Sequence, residues 1–501
     1  MILSSLLIAI LGLLAAISVL SNSKTAIIAH HPITTKNPRA QRCFDEGWSL
    51  LISYNRTDAR KHFACAAAAD PHAGMAYWGL AMSYGPNINV PMFSGYYAKA
   101  RAAVVRARAE ESNASLGEQA YIEAAAQRYP VHKKDADGTA YAAVMERVAN
   151  KNRTDLDAQT LYADALIDAY PLYSQRDGSP TPQAIEAVRR LRSVLLRGPH
   201  AFANHLLIHA LDDSKTPLSA IRSARALDAL DVSAGESHLK HMGSHIFVKA
   251  GMWQIALHEN ALAAALDLTE EQSLPNDPEI MTYHRHNVDF WFGAAFMTGD
   301  KIQTSRSVYE FRRIGAHERL FYYLRVRDWD AVLHESENAV TTPVGQFARA
   351  VALFETGRIA ESKGLTRTLR LAAAAHPHDE DTSMFSLLAD ARTSQCQDSL
   401  PFYENAAKIQ RRNTYEDYLV WFYPVSQWYA ETLLQIGKPR AARRVLTDLL
   451  AWDVNDARAL EDRARAEERI GDHLDASADR ATYQKVWLGN RRPTLEVICA
   501  R

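Results

Sequence analysis

ETLLQIGKPRAARRVLTDLLAWDVNDARALEDRARAEERIGDHLDASADRA, residues 431–481, decides the fold class. Gly437 is followed five residues later by Ala442, and Gly471 is followed five residues later by Ala476. The two glycines are 34 residues apart, a period that belongs to stacked helix–turn–helix units. The same offset recurs at Gly251 and Ala256, and at Gly357 with Ser362 in place of the alanine. Near the N-terminus, Gly47, Ala59, Phe63, Ala66 and Pro71 follow a related spacing. Small residues let two helices cross closely, the aromatic fills the gap, and proline ends the helix before the next unit.

The composition agrees with helices. Gly is scarce, at 22 of 501 residues, which argues against barrels, sandwiches and glycine-rich phosphate loops. The 47% hydrophobic and 23% charged residues belong to a folded chain rather than a disordered one. Lys and Arg number 57 against 58 Asp and Glu, so the electrostatic basis for binding nucleic acid is missing. The expected fold is all-α, an α-solenoid of helix–turn–helix repeats after an apolar N-terminal segment; an irregular helical bundle is the alternative. The expected divisions are 1–23, 36–173, 183–345 and 346–495. Helices without clean register fill residues 100–200. Breaks fall at Pro86–Pro91, Pro130, Gly178–Pro182, Pro275–Pro278 and Pro377, and SQRDGSPTPQ (174–183) is the most linker-like stretch.

Residues 2–20, ILSSLLIAILGLLAAISVL, carry no charge, and the first basic residue is Lys24. The run is long enough to span a bilayer once; it also reads as a signal peptide with Ser21 or Ser23 at the cleavage site. Either reading makes the protein secreted or membrane-anchored, with the repeats outside the cytosol. Sequons at Asn55, Asn113 and Asn152 make it a candidate glycoprotein, but at a frequency that chance supplies. The four cysteines, Cys43, Cys65, Cys396 and Cys499, form no CxxC pair, which removes cysteine-based zinc modules and thioredoxin chemistry. One bridge, Cys43–Cys65 across a helix pair, is open.

Function rests on histidines. Residues 200–286 hold nine of the chain's 19. His205 and His209 form HxxxH, as do His241 and His245. Four residues make about one helical turn, so each pair leaves one face and can chelate one ion. A lone HxxxH is usually accidental, and register makes the difference here. His205 and His209 precede Ala220 by 15 and 11 residues, as His241 and His245 precede Ala256. His238 precedes Gly251 by 13, as His286 precedes Gly299; Asp289 precedes Gly299 by ten, as His241 precedes Gly251. Six histidines and one carboxylate thus occupy equivalent places on three successive first helices, with His284 just before the third set. Three plus three His is the complement of a coupled dinuclear copper site; four His, or three with Asp289, suit one zinc or copper ion. Two further features are weaker. Asn87 and Asn89 read first as helix caps, or else as orienting a groove residue, and Asp164 and Asp168 read first as a solvated edge.

MAYWGLAMSYGPNINVPM (75–92), HAFANHLLIHALDDS (200–214), SHLKHMGSHIFVKAG (237–251), YHRHNVDFW (283–291) and WFYPVSQ (421–427) together resemble a family of exported bacterial tetratricopeptide-repeat proteins of about this length. The likeness covers most of residues 38–475. It implies that the first helix of each repeat lines a concave groove, so that the paired histidines point into it. This sequence departs from the family at Asp289, where His is expected, and at Ser426, where Arg is expected.

The functional expectation is a His-rich metal site in the groove, formed by His205, His209, His238, His241, His245, His286 and Asp289. The ion, copper or zinc, would act on a small molecule or peptide, with oxidation the natural chemistry of copper and hydrolysis or elimination that of zinc. The alternatives are a non-catalytic scaffold that binds peptide or protein partners, and a structural metal staple. Metal content separates them. No GxSxG, P-loop or dinucleotide fingerprint points elsewhere.

Overall fold

The computed structural model describes residues 28–173, 178–314, 319–412 and 424–495. The apolar stretch 2–20, residues 174–177 of the linker-like segment, Trp421, Tyr423 and Cys499 lie outside them. Among the described residues the chain is all-α: no strand forms beyond an isolated bridge between Tyr173 and Pro180. No helix of these residues is long and apolar enough to cross a membrane. Consecutive helices pack as hairpins, giving the α-solenoid of tetratricopeptide-like units.

Two compact units divide the chain: residues up to Gly243 with Ala265–Tyr283, and Ser244–Ala264 with His284 onward. The first holds α1 (Pro38–Ile52), α2 (Arg56–Ala69), α3 (Gly74–Ser83), α4 (Tyr96–Ala109), α5 (Leu116–Arg128), α6 (Gly138–Lys151), α7 (Leu156–Ala169), α8 (Pro182–Leu195), α9 (Ala201–Asp212) and α10 (Ile221–Asp228). Parts of α11 (Ser237–Lys249), α12 (Trp253–Ser273) and α13 (Pro278–Thr298) belong to it as well. In the second unit, helix Pro343–Glu355 pairs with Ile359–Ala375, Glu380–Arg392 with Cys396–Arg412, Val425–Gln435 with Pro439–Leu450, and Ala457–Ile470 with His473–Val486.

The glycine-to-alanine offset has a structural cause. Gly437 and Gly471 hold φ of 77° and 86°, backbone that glycine enters without steric penalty. The next N–H then bonds back into the finished helix, Lys438 to the Leu433 carbonyl (2.8 Å) and Asp472 to that of Glu467 (2.9 Å). This is the left-handed stop that satisfies a helix's last carbonyls. Gly251, Gly299 and Gly357 repeat it. Five residues on, Ala256, Ser362, Ala442 and Ala476 are buried where the second helix meets the first. Between α4 and α8 the hairpins persist without glycine. There Ser115 with Glu118, Asp137, Asp155 and Thr181 mark each helix start by accepting its backbone N–H groups, which is why the sequence shows no glycine register.

Two hairpins make the left-handed stop without glycine, one at Arg327 (φ 59°, with the Asp328 N–H bonded to the Tyr323 carbonyl at 2.9 Å) and one near the N-terminus. Between α1 and α2, Tyr54 takes the left-handed position with φ 61°, and the Asn55 N–H bonds back to the Leu50 carbonyl (3.0 Å). Ala59, five residues later, is buried as in the other units. The same hairpin carries the Cys43–Cys65 disulfide, Cα atoms 5.8 Å apart. Phe63 is fully buried against Gly47 and Gly79, where an added Cβ at either glycine would press on its ring.

Candidate metal centre

α9 opens with His200, whose Nδ1 accepts the Ala203 N–H (3.2 Å), and nearly all of its following residues are buried. His205 and His209 therefore stand one turn apart on a buried helix, the first fully buried and the second half-buried. α11 follows a capping box of Ser233 and Glu236, which places His238 in its first turn.

The structure brings these three together: one ring nitrogen each of His205, His209 and His238 lie within 4.8 Å of one another. Nδ1 of His205 is 2.8 Å from the Ile52 carbonyl. A carbonyl only accepts, so Nδ1 carries the proton and Nε2 keeps its lone pair. That lone pair faces Nε2 of His209 at 3.1 Å. Bonds of about 2.0–2.1 Å to a tetrahedral ion set neighbouring nitrogens about 3.3 Å apart, so this pair already has the spacing of two ligands. A donor set of imidazoles without thiolate suits zinc or copper.

Aromatic side chains wall the trio. Tyr54 lies against His205 (ring centroids 4.4 Å apart) and stacks on His209 and His238 with planes 24° and 18° from parallel. Tyr283 packs on His238 at 4.5 Å, and its hydroxyl accepts from Asn87 Nδ2 (3.2 Å). Asn87 Oδ1 accepts the Asn89 and Val90 N–H groups (3.0 and 2.7 Å). The GPNIN segment thus closes a turn and orients Tyr283 instead of capping a helix, since α4 starts only at Tyr96. The sequence reading missed Tyr54 and Tyr283. A signal for Tyr54 existed: it stands five residues before Ala59, as Gly251, Gly437 and Gly471 stand before Ala256, Ala442 and Ala476.

His241, fully buried, has its ring 5.8 Å from that of His238. In the second unit His245 and His286 pair, with Nε2 atoms 3.4 Å apart and Phe290 packed on both rings. His284 turns elsewhere: its Nε2 lies 2.9 Å from Arg313 Nη2 and 3.6 Å from Glu310 Oε2. Hydrogen bonds from His284 and Arg313 outweigh burial and hold the Glu310 carboxyl below its ordinary range. Asp289, half-buried on α13, is not among the converging ligand atoms of the described residues.

Asp164 and Asp168 are no solvated edge. Both side chains on α7 are at least nine-tenths buried, and Arg128 Nη2 lies 3.2 Å from Asp168 Oδ2. Burial pushes Asp164 well above the carboxylate range and Asp168 up to about 6, against the opposing pull of Arg128. On the same unit Asp157 joins two histidines, His31 Nδ1 at 2.5 Å and His200 Nε2 at 3.1 Å.

No protein-family model matches the chain, and no curated protein matches it significantly. Among solved structures, the human IFIT1 dimer with PPP-AAAA is similar at 12% identity, with 90% of this chain and 95% of that one covered and a TM-score of 0.30. The human IFIT1 dimer with m7Gppp-AAAA gives 13%, 90% of each chain and 0.31. The P58(IPK) TPR domain gives 16%, 91% of this chain, 95% of that one and 0.21.

Proposed function

We propose that this chain is an exported tetratricopeptide-like protein that binds a copper or zinc ion through His205, His209 and His238 and uses it on a small molecule or peptide. The observation that carries this reading is the placement of His205: its Nδ1 lies 2.8 Å from the Ile52 carbonyl, and its Nε2 lies 3.1 Å from Nε2 of His209, the spacing of two ligands on one ion. A backbone carbonyl behind a metal-binding imidazole is the usual way its orientation is fixed. When bound, zinc or copper supplies Lewis acidity, and copper also supplies one-electron chemistry. Tyr54 and Tyr283 keep the rings in place and exclude water from one side. His245 and His286 bring two imidazole nitrogens to 3.4 Å within the second unit, so a second equivalent of metal is compatible with this reading. The Cys43–Cys65 disulfide supports an oxidising compartment.

Elemental analysis of full-length protein purified without chelators tests the proposal. One or two equivalents of copper or zinc per chain are expected, falling in His209→Ala and His238→Ala variants that keep the wild-type circular dichroism. A chain without metal in every preparation, yet with saturable peptide binding, overturns it in favour of a scaffold. Metal whose removal lowers the melting temperature but abolishes no turnover identifies a staple.

A further inference from the structure

Tyr54 also lines a cavity of about 30 Å³ in the first unit, together with Arg56, Arg128, Leu161, Asp164 and Asp168. That is space for about two waters. Four of these residues bring a buried polar atom that has no hydrogen-bond partner: Tyr54 Oη, Arg56 Nη2, Arg128 Nε and Asp168 Oδ1. Buried polar atoms in folded proteins are almost always paired, and an orphan is expensive. Four orphans around one cavity are the imprint of a guest that supplies the missing partners.

Charge decides what kind of guest. Arg56 Nε is 2.5 Å from Glu279, and Arg128 is paired with Asp168, so two cations and two anions cancel. Burial first, and Asp168 second, push the Asp164 carboxyl well above the ordinary range and so favour its uncharged form. An ionic guest would lie there uncompensated, in a site walled by Trp48 and Phe202. The guest is therefore uncharged. The orphans comprise three donors and one acceptor. A group of two-water size that accepts at one end and donates at the other is a primary carboxamide, the head group of an Asn or Gln side chain or of any terminal amide.

We propose that this cavity binds a terminal carboxamide, its carbonyl oxygen taking hydrogen bonds from Arg56, Arg128 and Tyr54 and its NH2 donating to Asp168. The site is built without any metal ligand, so it stands or falls separately from the metal reading, although Tyr54 belongs to the walls of both.

Titration calorimetry of acetamide into full-length protein at pH 8, metal-free and metal-loaded, tests it. Saturable binding is expected in both forms. Tyr54→Phe, which keeps the ring on the histidines and removes one donor, weakens it about tenfold or more. Leu161→Phe fills the space and abolishes it, and Tyr54→Phe alone decides should Leu161→Phe not fold. Acetate, the charged isostere, does not bind. A cavity that takes up water alone gives no saturable heat with acetamide and overturns the proposal, as does undiminished binding in Tyr54→Phe or tighter binding of acetate. Absence of metal with intact acetamide binding removes only the metal reading.

Discussion

The ring of Tyr54 stacks on that of His238, centroids 5.3 Å apart and planes 18° from parallel, while the Tyr54 backbone sits at φ 61°. A large side chain in left-handed backbone stores about 1–2 kcal/mol of strain. The stops at Gly251, Gly299, Gly357, Gly437 and Gly471 avoid it with glycine, whereas Arg327 shares it at φ 59°. The α1–α2 hairpin keeps a tyrosine there, and the ring covers three imidazoles.

Replacing Tyr54 separates backbone from ring. Tyr54→Ala loses a fully buried aromatic and is expected to cost about 3–5 kcal/mol. Tyr54→Gly loses the same ring but relieves the backbone, and should be about 1 kcal/mol less destabilised. Urea unfolding of both variants checks this; equal stabilities would mean that no strain is held at the turn.

His205 and His209 divide ligation from support. His205→Ala should cost about 2–4 kcal/mol, because it opens a hole and leaves the buried Ile52 carbonyl unpaired. His209→Ala, on a half-buried side chain, should cost about 1 kcal/mol or less. Both should lower metal content alike. Metal loss in only one of them, by elemental analysis, breaks the pairing.

Asp157 gives a pH signature. Its burial alone would raise the carboxyl, but hydrogen bonds from His200 and His31 bring it to about 2. His31 is raised, its contacts with Asp157 outweighing burial. A depressed carboxyl stabilises above its unfolded pKa and loses that as pH falls; a raised histidine stabilises below its unfolded pKa and loses that as pH rises. The stability gap between wild type and Asp157→Asn should therefore peak at about 2 kcal/mol between roughly pH 4 and 6.5 and shrink on both sides. Denaturant titrations from pH 3 to 8 read this directly, and a flat gap refutes it.

The Cys43–Cys65 bridge closes a segment of 22 residues. A Cys43→Ala/Cys65→Ala double variant should lose about 3 kcal/mol, seen as a lower urea midpoint with an unchanged helical spectrum.

Two glycines contrast conformation with crowding. Gly437→Ala meets nothing within 4 Å but keeps φ at 77°, so its cost should be about 1 kcal/mol. Gly79→Ala pushes a methyl into the Phe63 ring and should cost about 1–3 kcal/mol. A Phe63→Leu background should rescue Gly79→Ala and leave Gly437→Ala unchanged.

Much of the architecture was legible because its signals are local. The Gly437 and Gly471 stops and their following alanines mark hairpins whose geometry depends on a few neighbouring residues. HxxxH spacing put His205 beside His209 for the same reason. His284 could not be read this way: its direction was set by Arg313 and Glu310. Asp164 and Asp168 looked like an exposed face because nothing near them in the chain announces Arg128. Tyr283 reached the histidines from far along the chain, oriented by Asn87.

The order of residues was enough to determine an all-helical, hairpin-by-hairpin chain and the helix faces on which its histidines stand, since helix stops, small-residue crossings and one-turn spacing act over short range. Which imidazoles meet, which nitrogen of His205 holds the proton, and which charged groups are sealed beside them were decided by tertiary packing alone. Those properties depend on desolvation and on partners brought from distant helices, and neither exists until the chain has folded.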